Sequence, residues 1–175
     1  MKKSIEISII IFVLLMPILH EFGHFLGYAI DGVSATISYG FVTVDKLTIS
    51  GVIGGPMFNI LLSIISLTLI YIDSKRKNFW GIIGLVSVIS RVLCSGIIFL
   101  IGILFNPVVL PNNDEGQLAV LMGNSIQFQY IFFILIYIIL TILIIKSIQD
   151  SKVAKKLSIR IIGYNIMLIS YLILT

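Results

Sequence analysis

The chain has 175 residues, of which 58% are hydrophobic and only 11% charged, and its mean hydropathy is +1.13. A soluble globular domain of this size does not carry so much apolar surface. The formal charge of +4 does not point to nucleic acid, because the basic residues gather at the ends of apolar segments; the single cysteine, Cys94, excludes an intramolecular disulfide framework and any multi-cysteine metal site.

Five apolar segments are long enough to cross a hydrocarbon core, at about residues 5–30, 51–72, 79–105, 126–145 and 158–174. The expected fold is an all-α polytopic membrane protein. It is a single integral membrane domain over residues 1–175, with about five transmembrane helices and a short hairpin-like segment between the first two.

The first segment follows Lys2 and Lys3 as a signal peptide would, but it is too long and lacks a small-residue cleavage site, so it reads as a retained helix. It holds His20-Glu21-Phe22-Gly23-His24, and with it both histidines of the chain. Helix positions i and i+4 share a face, so His20 and His24 can present two imidazoles to one ion with Glu21 beside them as a base. Ionisable groups inside a bilayer are costly, which makes them functional candidates; a histidine pair bonded to neighbouring helices would need fewer polar groups than the three present. Gly23 and Gly27 allow another helix to approach closely, and Tyr28 lies one turn beyond His24.

Residues 34–49 are rich in β-branched and aromatic side chains and read as a short hairpin or extended segment at the membrane surface, whose edge could accept a peptide strand. The second segment opens Gly51-Val52-Ile53-Gly54-Gly55-Pro56-Met57-Phe58-Asn59. Pro56 suits a first helical turn, Gly54 and Gly55 permit close backbone approach, and Asn59 needs a polar partner, for which a substrate backbone or an oxyanion is a candidate. Arg91, near the middle of the third segment, should face the protein interior.

Residues 106–127 contain Asn106, Pro107, Pro111, Asn112 and Asn113, which rule out a continuous helix. A catalytic zinc usually takes three protein ligands and leaves a position for water or substrate. No third histidine exists; Glu6, Asp73 and Asp150 belong to the basic side, and Asp31 and Asp45 are on the same side as the motif's helix end, but Asp31 is about 10 Å beyond His24 along the helix. Asp114 and Glu115 remain, in a loop able to aim one of them back at the histidines. Asp114 is preferred by residue type, while Glu115 directly precedes Gly116 and is the alternative third ligand. Such a site would hold one Zn2+, activate a water and use Glu21 as the catalytic base against a carbonyl.

His20-Glu21-Phe22-Gly23-His24 in a first core helix, followed by Gly55-Pro56-Met57-Phe58-Asn59, resembles the site-2 protease family of intramembrane zinc metalloproteases over roughly residues 17–118. The family's third motif sets a metal-binding Asp directly before Gly, after Asn and Pro. Asn106, Pro111 and Asp114-Glu115-Gly116 are similar to it, with Glu115 interposed. The resemblance implies a zinc metalloendopeptidase that cleaves membrane-embedded or membrane-proximal proteins or peptides, with the lipid bilayer as its medium. The alternatives are a metal-ion-binding transporter, which a five-helix chain without repeated halves fits poorly, or a non-catalytic relative that binds membrane proteins.

Ten basic residues fall on one side of the alternating segments: Lys2, Lys3, Lys75, Arg76, Lys77, Lys146, Lys152, Lys155, Lys156 and Arg160. Lys46 alone falls on the other. The protein is therefore expected to be a multi-pass protein of the cell membrane, with its N-terminus cytoplasmic and its C-terminus outside. That direction is opposite to the usual course of the zinc helix in the family resembled.

Overall fold

The computed structural model describes residues 3–148 and 151–174. Six α-helices and one hairpin make up the described chain: α1 (Lys3–Ile30), β1 (Ala35–Ser38), β2 (Phe41–Val44), α2 (Ile49–Ile72), α3 (Lys77–Leu104), α4 (Asp114–Met122), α5 (Ile126–Ser147) and α6 (Ser151–Leu174). Short 3₁₀ turns at Ser74–Arg76 and Pro107–Asn112 lead into α3 and α4.

The helices follow the apolar segments closely. Among the described residues four stretches are long and apolar enough to cross a membrane: Lys3–Ile30, Ile49–Ile72, Ser74–Leu104 and Ile126–Ser147. At 1.5 Å per residue, the 28 residues of α1 extend about 42 Å, more than the roughly 30 Å of a hydrocarbon core. The protein is thus helical and of membrane-embedded character. The segment expected at residues 158–174 lies within α6, and its last four side chains, with Asp150 and Lys2, fall outside what is described.

Residues 34–49 do contain a hairpin. Ser38 pairs with Phe41 across a two-residue turn, and Gly40 takes a φ of 84° at the second central position, where type II turns favour glycine. The expectation for residues 106–127 needs one addition. The stretch is broken, as its prolines require, but it resumes as the nine-residue helix α4. Acidic residues at the start of α4 and Gly123 in the left-handed conformation at its end are ordinary helix termini.

The described chain divides into two compact units. The first takes the described residues within 1–16, 60–93 and 137–175; the second takes residues 17–59 and 94–136.

In the first unit, buried Val86, Leu85, Ile82 and Ile144 form an apolar centre, and Arg91 is 7% exposed, in line with an inward-facing side chain. Ser90 Oγ donates to Asn165 Oδ1 at 2.7 Å, fastening α6 to α3.

In the second unit α1 and α2 run antiparallel with their backbones in near contact. Gly23 faces Gly54, and Gly27 faces the Ser50 and Gly51 backbone, so closely that a Cβ on any of these glycines would collide. Small residues are what allow two helices to meet this way in a membrane, and here the approach brings α2 under the face of α1 that carries the histidines.

Candidate metal centre

His20 and His24 lie one turn apart on α1, their rings 4.7 Å between centroids and nearly perpendicular at 89°. Each ring is held from behind. His20 Nδ1 donates to the Asn59 side-chain oxygen at 2.7 Å, and His24 Nδ1 donates to the Gly51 carbonyl at 2.8 Å. Carbonyl and amide oxygens only accept, so the proton of each neutral imidazole resides on Nδ1 and the Nε2 lone pair is turned inward.

The two Nε2 atoms are 3.1 Å apart. Asp114 closes the triangle, with Oδ2 at 2.9 Å from His20 Nε2 and Oδ1 at 3.4 Å from His24 Nε2. With Nδ1 as the donor on both rings, neutral imidazoles turn two Nε2 lone pairs and a carboxylate towards one point, an arrangement suited to a shared cation. A tetrahedral ion with bonds of 2.0–2.1 Å separates its ligand atoms by about 3.3 Å, and the observed separations bracket that value. His20, His24 and Asp114 are the described group able to hold a metal, their ligand atoms lying within 4.8 Å of one another. The residues fit an ion.

His20, Glu21 and His24 are buried, whereas the Asp114 side chain retains 19% exposure. Glu21 lies close enough to His24 for its carboxylate to act electrostatically on the ring, as does Asp114. The site thus combines three side chains able to hold an ion with the Glu21 carboxylate beside them, and is accessible from the side of Asp114.

The floor of the site is Gly55. A Cβ at this position would fall 2.6 Å from His20 Cε1 and 2.7 Å from His20 Nε2, and would also strike His24 Nε2. The space the imidazoles occupy exists because residue 55 has no side chain. Tyr28 is buried with its ring against Gly51, the residue whose carbonyl orients His24.

Asn59 is fully buried, and its side-chain oxygen accepts the His20 Nδ1 proton. A carbonyl or amide partner behind a ligating histidine fixes the tautomer and ring orientation.

The two acidic candidates for the third ligand separate clearly in space. Asp114 meets both histidines. Glu115 is fully buried and turned elsewhere: Ser95 Oγ donates to its Oε1 at 2.6 Å, and Asn113 Nδ2 donates to its Oε2. Ser95 is on α3, so Glu115 anchors the first turn of α4 and with it the neighbouring Asp114.

The loop before α4 is pinned as well. Asn106 caps the 3₁₀ turn by accepting from Val108 N–H at 3.1 Å. Leu110 is buried against Gly102 of α3, and its carbonyl accepts from Tyr130 Oη of α5 at 3.1 Å. Gly116 presses on the Leu110 carbonyl with no room for a Cβ.

Sequence reasoning brought forward His20, Glu21, His24, Asp114, Asn59 and Gly55. It did not find the Gly51 carbonyl, Ser95 or the Leu110 plug. A backbone carbonyl carries no side-chain signal, and a serine or leucine in an apolar helix is too common to stand out. Compared with family models, with curated proteins and with solved structures, the chain matches none.

Proposed function

We propose that the protein is a membrane-embedded zinc metallopeptidase in which His20, His24 and Asp114 hold the ion and Glu21 is the general base. One observation carries this reading: the inward lone pairs of His20 and His24, 3.1 Å apart with both Nδ1 protons committed, are met by a carboxylate from a separate helix. A zinc ion held there supplies a Lewis acid that brings the pKa of water towards neutrality. Glu21 takes the proton of the attacking water and delivers it to the leaving amine. Asn59 and Gly51 keep the two rings in the ligating tautomer, and burial of the site limits competing solvent. Asp114, on the exposed side, marks the approach for an extended stretch of a membrane-embedded or membrane-proximal polypeptide.

The orientation belongs to the same proposal. Lys3, Lys75, Arg76, Lys77, Lys146, Lys152, Lys155, Lys156 and Arg160 all belong to the first unit, which supports a cytoplasmic basic side with α1 entering from the cytoplasm and α6 completing a fifth crossing.

The test is Glu21→Gln in purified, reconstituted protein, read by bound zinc and by cleavage of a membrane-peptide library. The expected outcome is full zinc occupancy with cleavage reduced by about 10³-fold or more. Undiminished cleavage would remove Glu21 as the base; zinc-dependent ion flux without cleavage would favour a transporter.

A further inference from the structure

The first unit carries a second feature that shares no residue with the candidate metal centre. A groove of about 250 Å³ runs along α1 and α6, walled by Ile10, Val13 and Leu14 on one side and Tyr164, Met167 and Leu168 on the other. Its lining is apolar apart from Tyr164, and that residue marks one end. The Tyr164 hydroxyl donates to Glu6 Oε1 at 3.1 Å, and the same oxygen accepts from the Arg160 guanidinium.

The groove therefore has two chemically different parts. Past Tyr164 it is hydrocarbon; at the Glu6 end it meets the basic start of α6. Lys152, Lys156 and Arg160 are spaced four apart on one face of α6, and all are exposed. The opposite face, Ala154, Leu157 and Ile161, is completely buried, which fixes the basic face outward. Lys3 adds a further exposed cation one turn before Glu6 on α1. At this end, among the described residues, the Glu6 carboxylate meets Arg160 and Tyr164, while Lys3 and Lys156, one turn away on the same two helices, are exposed cations that add positive charge.

We infer that this groove is a binding site for an anionic phospholipid, with an acyl chain against Ile10, Val13, Leu14, Met167 and Leu168 and the phosphate between Lys156 and Arg160. Charge complementarity selects the occupant. A free phosphate gains nothing from the apolar walls, and a lipid without net charge gains little from the cations. Basic clusters beside membrane helices attract anionic headgroups with an increment that compounds for each lysine or arginine. A lipid seated here bridges the start of α1 to α6, the two helices that Glu6, Arg160 and Tyr164 already join.

The experiment is native mass spectrometry of the full chain released from micelles containing equal phosphatidylglycerol and phosphatidylcholine of matched chain length. The expected result is preferential retention of one phosphatidylglycerol. Lys156→Gln/Arg160→Gln should lower that preference about 30-fold, and Lys156→Gln, which leaves the Glu6–Arg160 pair intact, by several-fold. Leu14→Trp, at a position already half exposed to the bilayer, should fill the groove and lower retention of both lipids. Equal retention of the two lipids by the unmodified chain, or a preference unchanged in Lys156→Gln and the double variant, would overturn the headgroup assignment. Undiminished retention in Leu14→Trp would overturn the groove, and displacement by millimolar inorganic phosphate would show a free-anion site instead.

Discussion

Gly55→Ala isolates the geometry of the proposed metal centre from everything else in the protein. Alanine suits a helix at least as well as glycine, so α2 should form unchanged. The added methyl, however, would be 2.6 Å from His20 Cε1, where ordinary van der Waals contact begins at 3.4 Å. Relief requires a shift of about 0.8 Å, and metal–ligand distances tolerate only about 0.2 Å. The rings have no easy retreat, because moving His20 strains its 2.7 Å bond to Asn59 and moving His24 strains its 2.8 Å bond to the Gly51 carbonyl. We expect zinc affinity to fall by at least about 100-fold, beyond the usual effect of losing an outer-sphere partner. Competition with a calibrated chelator measures the affinity, and circular dichroism checks that the helices persist. Wild-type zinc affinity in a folded Gly55→Ala protein would refute the placement of the imidazoles over residue 55.

Asn59→Ala removes the partner of His20 Nδ1 without touching a ligand, so zinc affinity should drop about 10- to 100-fold while stoichiometry at saturating zinc stays at one, read by metal analysis across a zinc titration. Ser95→Ala and Glu115→Ala both loosen the first turn of α4 and should weaken zinc binding, Glu115→Ala the more because it also loses the bond from Asn113; their double variant should lose little more than Glu115→Ala alone, because the Ser95 hydroxyl acts through Glu115. Asp114→Ala should cost more than Glu115→Ala in the same assay, and the reverse order would exchange their roles. Removing zinc with a chelator should lower the unfolding temperature, since an ion at 100 times its Kd contributes about 2.7 kcal/mol to the folded state.

Much of this was already present in the order of the residues. Apolar segments as long as a bilayer is thick can only be helices, because backbone groups in hydrocarbon must bond within their own segment; α1, α2, α3 and α5 follow from that alone. The i, i+4 spacing of His20 and His24 is likewise a helical property, independent of any neighbour. Tertiary structure decided what spacing cannot encode. Asp114 and Glu115 are adjacent, equally acidic and framed by the same turn residues, yet Asp114, 94 positions beyond His20, meets it while Glu115 is bonded to Ser95. Asn59 carried a visible polar signal, but its partner was settled by how closely Gly54 and Gly55 let α2 approach α1. Local sequence fixes a helix and the face on which its residues stand. Which side chain from another helix completes that face depends on packing between segments remote in the chain, where a shift of an ångström separates a ligand from a structural anchor.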